Sequence, residues 1–258
     1  MTEPHWSLTH AGPVAHLVLR RAEKLNALTA EMVEALLDLC RQIDRSDARV
    51  VILTGEGKAF CAGGDIEAWS ALSPEDFGRR WLRDGHQAFD ALARLRQPLI
   101  AVLNGHCLGG GLELAACADL RIAEAHVKIG QPETGLGVIP GWSGTQRASR
   151  RFGAQLVRRM ALMGEVFTAE QACRLGLVDQ VEPTGQGMAA ALVIADRVTA
   201  RSPRATEITK LLINAAEGED RERALEVVAG AVVAGSAELA EGLAAFREKR
   251  RPNFGGKD

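Results

Sequence analysis

The stretch "NGHCLGGGLELAACAD", Asn104 to Asp119, decides how the chain is read. It follows an apolar run, "PLIAVL" (Pro98–Leu103), of the kind that forms a strand buried on both faces. Three glycines then lead into Leu112, Leu114, Ala115 and Ala116. A helix starting at Gly109 or Gly110 leaves its first amides unpaired at the positive end of the helix dipole. Such amides suit an anion or a developing oxyanion. Glycine keeps the approach clear, at a backbone-entropy cost that a purely structural helix would avoid. Glu113 lies three residues beyond Gly110, on the same face one turn in. Its apolar neighbours disfavour the ionised carboxylate and move it toward the acid/base range.

Two further segments carry chemistry. "KAFCAGGDI" (Lys58–Ile66) repeats the arrangement of small residues after a buried strand, here "VVILTG" (Val50–Gly55). "GQPETGLGVIPGWSGTQR" (Gly130–Arg147) brings a second carboxylate, Glu133, in a segment too rich in glycine for a long helix. Two carboxylates near one oxyanion site are the equipment for general acid/base work beside a polarised carbonyl. The glycines do not fit the dinucleotide fingerprint, and "GWSGT" is not a nucleophile elbow.

The chain of 258 residues has 47% hydrophobic and 25% charged residues and a net charge of −2. That is the composition of a soluble globular protein, without the basic excess of a nucleic-acid binder. No apolar run reaches membrane-spanning length. The five cysteines, Cys40, Cys61, Cys107, Cys117 and Cys173, form no paired or metal-ligand spacing. This pattern points to free thiols in a reducing, cytoplasmic setting and to no structural metal.

Strands and helices alternate over residues 1–190. "VAHLVLR" (Val14–Arg20), "DLRIAEA" and "VKIGQPE" are strand candidates. A helix is expected from Thr29, with Val33, Leu36, Leu37 and Cys40 on one stripe, and another over Pro74–Leu95. "FTAEQACRLGLVDQVEP" predicts a helix stopped at Gly176 and then a strand. Residues 191–258 are expected to be helical, interrupted near Gly218 and Gly235. An α/β core with a helical C-terminal region follows.

Taken in order, "EKLNAL" (Glu23–Leu28), "KAFCAGGDI", "NGHCLGGGLELAACADLRIA", "GQPETGLGVIPGWSGTQR", "TAEQACRLGLVDQV" and "FREKRRPNF" resemble the enoyl-CoA hydratase/isomerase (crotonase) superfamily. The resemblance implies a spiral of repeated β-β-α units, with the C-terminal helices used for trimerisation, often as a dimer of trimers. It implies an acyl-CoA substrate, coenzyme A being part of that substrate and no separate cofactor being needed. It places the oxyanion hole at the N–H groups of Ala62 and Gly110. Ala62, Gly63, Gly64, Asp65 and Ile66 would line the thioester and pantetheine. Lys24, Leu25 and Ala27 would lie near the adenine and phosphates, Phe246 and Lys249 would approach from the tail, and Gly141 would help place a water. Because Glu113 and Glu133 are both present, the resemblance favours hydration of a 2-enoyl-CoA over Δ3-Δ2 isomerisation. Trp142 and Ser143 stand where hydratases commonly have two small residues. Trp142, Trp69 and Trp81 are thus candidates for the acyl pocket.

Overall fold

A computed structural model describes residues 5–219 and 237–254. A hairpin of β1 (Trp6–Ala11) and β2 (Val14–Leu19) opens the chain. Helix α1 (Ala30–Arg45) begins at Thr29, whose hydroxyl accepts the Met32 N–H, and buries the stripe Val33, Leu36, Leu39, Cys40 and Ile43. Strands β3 (Val50–Gly55) and β4 (Ala59–Cys61) lead to α2 (Ile66–Ser70), α3 (Pro74–Asp76), a π-helical stretch Phe77–Leu82 and α4 (Arg83–Ala93). Strands β5 (Leu99–Leu103) and β6 (His106–Leu108) lead to α5 (Gly110–Ala115). Then come β7 (Leu120–Glu124), β8 (Lys128–Gly130), a 3-10 turn Glu133–Leu136, α6 (Gln146–Phe152) and α7 (Ala154–Ala161). The order closes with β9 (Val166–Thr168), α8 (Ala169–Arg174), β10 (Gln180–Glu182), α9 (Gly187–Thr199) and α10 (Pro203–Ala216).

The topology is the expected spiral. The β3-β4, β5-β6 and β7-β8 units each send their first strand to a six-stranded sheet, order β1-β2-β3-β5-β7-β10. Their second strands join a four-stranded sheet, order β4-β6-β8-β9. Successive turns therefore stack in parallel, with Val51 opposite Leu99 and Ile100 opposite Leu120 in the large sheet. Between sheets the chain turns a tight corner at Gly105, where a side chain would collide with the backbone of Lys58 and Ala59.

Apolar strands fit because both faces of the large sheet are covered. Val51, Leu53 and Leu99 face the main core with α1 and α4, while Val50, Ile52, Ile100 and Ile122 pack on Ala191, Ile194 and Ala195 of α9. The helix expected over Pro74–Leu95 is helical in three consecutive pieces, the π-helical one falling in the middle.

The residues divide into two compact units, the first ending at Glu207 and the second beginning at Ile208. The second carries the end of α10 and a helix at Ala237–Glu248. Residues 220–236, including the expected interruption near Gly235, lie outside the described residues. No helix among the described residues is long and apolar enough to cross a membrane.

Candidate active site

The site forms where two consecutive β-β-α units bring their loops together. After β4, Gly63 takes φ +111, and the loop runs against the start of α5. A Cβ on Gly110 would lie 3.3 Å from the Gly64 amide nitrogen, and one on Gly63 would lie 3.3 Å from the Gly110 nitrogen. The Gly64 and Gly110 N–H groups thus sit side by side, and neither has an acceptor among the described residues. The Ala62 N–H, expected to be the donor on this loop, is instead consumed: it donates to the Leu25 carbonyl at 3.0 Å. Extended pairing with residues 25–28 reaches only to Leu28, whose N–H meets the Gly63 carbonyl and whose carbonyl accepts the Asp65 N–H. Gly64 lies between those two bonds, with its N–H left over.

One turn into α5, Glu113 is buried at 3% exposure. Its Oε1 accepts two backbone N–H groups, from Trp142 at 2.7 Å and from Gly144 at 2.7 Å. Burial, and then the neighbouring Glu133 charge, push Glu113 up to about 8, against the pull of those two bonds and of Arg147. Glu133 opens the 3-10 turn after β8, and neither of its buried carboxyl oxygens has a hydrogen-bond partner among the described residues. Desolvation raises it to about 7. Two carboxyls in one cleft, both lifted toward neutrality, are equipment for moving protons at physiological pH.

The loop that holds Glu113 is itself held. Ser143 adopts φ 78 and its hydroxyl is 3.1 Å from His86 Nδ1 on α4. Gln131 donates to the Gly144 carbonyl at 3.2 Å. Beneath the loop, Arg147 is fully buried and pairs with Asp90 at 2.5 Å. Sequence reasoning missed these supports. Gln131 and Arg147 lie within the quoted Gly130–Arg147 segment, but nothing in their spacing shows what they hold.

Trp142 is buried at 3%. Its ring centroid lies 4.7 Å from that of Trp81 and 5.2 Å from that of Phe89, and its Nε1 donates to the Trp81 carbonyl at 2.9 Å. Each such ring pair contributes about 0.5–1.5 kcal/mol beyond burial. The indole is therefore packed inward, against Trp81 and Phe89. Trp69 and Trp81 both pack over Gly64, with Trp81 Cζ2 2.8 Å from where a Cβ would stand. With Phe77, Leu82, Val138 and Ile139 they wall a cleft that Glu113, Glu133, Gly64, Gly110 and Gly141 also line. An apolar and aromatic wall with a few convergent polar groups is the character of a small-molecule site.

The family profile described as "Enoyl-CoA hydratase/isomerase" matches residues 9–257. The chain belongs to the enoyl-CoA hydratase/isomerase family. It is 34% identical to a crotonyl-CoA hydratase of Syntrophomonas wolfei, over 93% of this chain and 94% of that one. It is 35% identical to a short-chain-enoyl-CoA hydratase of Clostridium acetobutylicum, over 95% of each. An enoyl-CoA hydratase structure from Bacillus anthracis superposes with TM-score 0.79 at 34% identity, covering 98% of this chain and all of that one. The fold is that of this family, and the chain is an enzyme of the enoyl-CoA hydratase kind.

Other residues expected to bind in this enoyl-CoA hydratase/isomerase family member are placed as follows. Ala62, Gly63 and Ile66 line the cleft. Asp65 does not line it; burial opposes its charge, but the Arg21 guanidinium at 2.6 Å and the Glu67 and Ala68 N–H groups hold its carboxyl below the usual range. It therefore caps α2 and clamps the loop. Lys24 is exposed and paired with Glu67 at 3.1 Å, Leu25 is exposed at φ 53, and the Ala27 carbonyl accepts from Arg21. These three lie beside the Ala62–Asp65 loop, outside the cleft lining. Phe246 falls in the helix Ala237–Glu248, its side chain outside the described residues, and Lys249 follows that helix, exposed.

Proposed function

We propose that this enzyme adds water across the 2,3 double bond of a 2-enoyl-CoA to give a 3-hydroxyacyl-CoA. One observation carries the reading: two carboxyls with raised affinity for protons, Glu113 and Glu133, share a cleft with the unpartnered N–H groups of Gly64 and Gly110. The names of the two hydratase relatives support it.

In this mechanism the thioester oxygen lies between the Gly64 and Gly110 amides, which replace Ala62 and Gly110 as the donor pair. A water held by the two carboxyls attacks C3 and gives its proton to Glu113. Electrons of the double bond move onto the thioester as an enolate, which the two N–H groups stabilise. C2 then takes a proton from Glu133, and proton exchange between the carboxyls resets the site. Burial lifts Glu113 more than Glu133, yet the two N–H donors favour charge on Glu113. In the reactive singly protonated form the proton sits on Glu133, which accepts no hydrogen bond from any described residue, and Glu113 is the base. Isomerisation by one carboxylate would leave the amide-held Glu113 without a task. The CoA moiety is proposed to leave past Lys24, Leu25 and Ala27, and the assembly to be a homotrimer or a dimer of trimers.

The test is incorporation of heavy oxygen. Crotonyl-CoA incubated with the enzyme in ¹⁸O-water should yield 3-hydroxybutyryl-CoA with one label at C3. A double-bond shift without label would replace hydration by isomerisation.

A further inference from the structure

Trp142 is anchored by more contacts than a lining residue needs. Its indole occupies a recess over Gly85 on α4, where a Cβ would fall inside the ring. The Trp81 carbonyl that accepts its Nε1–H lies in the π-helical stretch, which moves that carbonyl out of the ordinary helical ladder. On its other side the ring reaches the oxyanion site: a Cβ on Gly110 would stand 3.2 Å from two of its carbons. The backbone N–H of the same residue holds Glu113. The indole is therefore fixed beside Gly110 of the proposed oxyanion site, and it lines the cleft.

An acyl chain that continues past C3 into this part of the cleft meets the Trp142 and Trp81 rings, which are 4.7 Å apart and leave no passage between them. We infer that Trp142, seated on Gly85, is the end wall of the acyl pocket and restricts this enzyme to short 2-enoyl thioesters of about four to six carbons. A smaller residue at 142 would leave the Gly85 recess empty and lengthen the pocket. This inference rests on the acyl-CoA reading of the cleft.

Equilibrium binding of butyryl-CoA and decanoyl-CoA tests it. Both are saturated, so neither can be hydrated and the result is independent of turnover. The wild type should bind butyryl-CoA at least about tenfold more tightly than decanoyl-CoA. Trp142→Ala should erase or reverse that preference, while Trp142→Phe, which keeps a ring over Gly85, should retain it. Equal binding of the two thioesters by the wild type, or an unchanged preference in folded Trp142→Ala, would overturn the inference. Should Trp142→Ala not fold, the wild type and Trp142→Phe decide it: loss of the preference in the Phe variant would also contradict a wall made by ring volume. A wild type that shows the binding preference but hydrates nothing would remove the hydratase reading and leave the wall standing.

Discussion

The backbone N–H of Trp142 and the carboxyl of Glu113 meet at 2.7 Å, so the residue that departs from the family pattern also holds a carboxyl of the proposed mechanism. A second N–H, from Gly144, reaches the same Oε1 at 2.7 Å. The side chain at 142 can therefore vary while its backbone keeps its task.

Gly144 cannot vary in the same way. A Cβ there would lie 2.5 Å from Glu113 Oε1 and closer still to Gln131 Nε2. Gly144→Ala should displace Glu113 and lower kcat for crotonyl-CoA by about 10² or more. Steady-state kinetics with a melting curve separates this from unfolding. A variant with normal kcat would show that Glu113 needs no fixed position.

The donor pair is tested at Gly110. An alanine methyl there would stand 3.3 Å from the Gly64 nitrogen, in the space assigned to the thioester oxygen. Gly110→Ala should cost about 10²–10³ in kcat/KM, the loss typical of a damaged oxyanion hole. A loss under about threefold would remove that oxygen from the Gly64–Gly110 site.

Proton inventory sets the pH dependence. With Glu113 raised to about 8 and Glu133 to about 7, the pair holds two protons at low pH, one in between and none at high pH. Only the singly protonated pair has both a base and an acid. The kcat/KM profile should be a bell with limbs near those two values, and a plateau from pH 5 to 9 would contradict it.

Stability should carry the same signature. A carboxyl whose folded pKa is raised favours the folded state below its ordinary value of 4.5, and that contribution is lost as pH rises through about 8. Glu113→Gln removes the ionisation and keeps an oxygen for the two N–H groups. Its unfolding free energy relative to wild type should therefore increase between pH 6 and 9, by ~1 kcal/mol or more. Denaturant titrations at both pH values would show it; a pH-independent difference would mean Glu113 is not desolvated.

The alternation of strands and helices, the Thr29 cap, the start of α5 and the carboxyl pair were all legible in the sequence. Their signals are local: periodicity, a cap residue, glycines before an apolar run. Strands β4, β6 and β9 were not, because each is a three-residue piece enclosed in a segment whose glycines or following helix give the stronger signal. The choice between Ala62 and Gly64 depends on which amide residues 25–28 consume, a pairing between segments more than thirty residues apart. Likewise the seat of Trp142 depends on Gly85, an ordinary helix glycine until the two elements meet. What the sequence left open was contact between distant segments.

The most direct measurement follows loss of the conjugated enoyl-thioester absorbance of crotonyl-CoA with wild type, Glu113→Gln and Glu133→Gln in parallel. Hydration by the wild type is expected, with a loss of about 10²–10⁴ in kcat in each variant, both remaining folded. Near wild-type hydration by either variant would contradict the two-carboxyl mechanism.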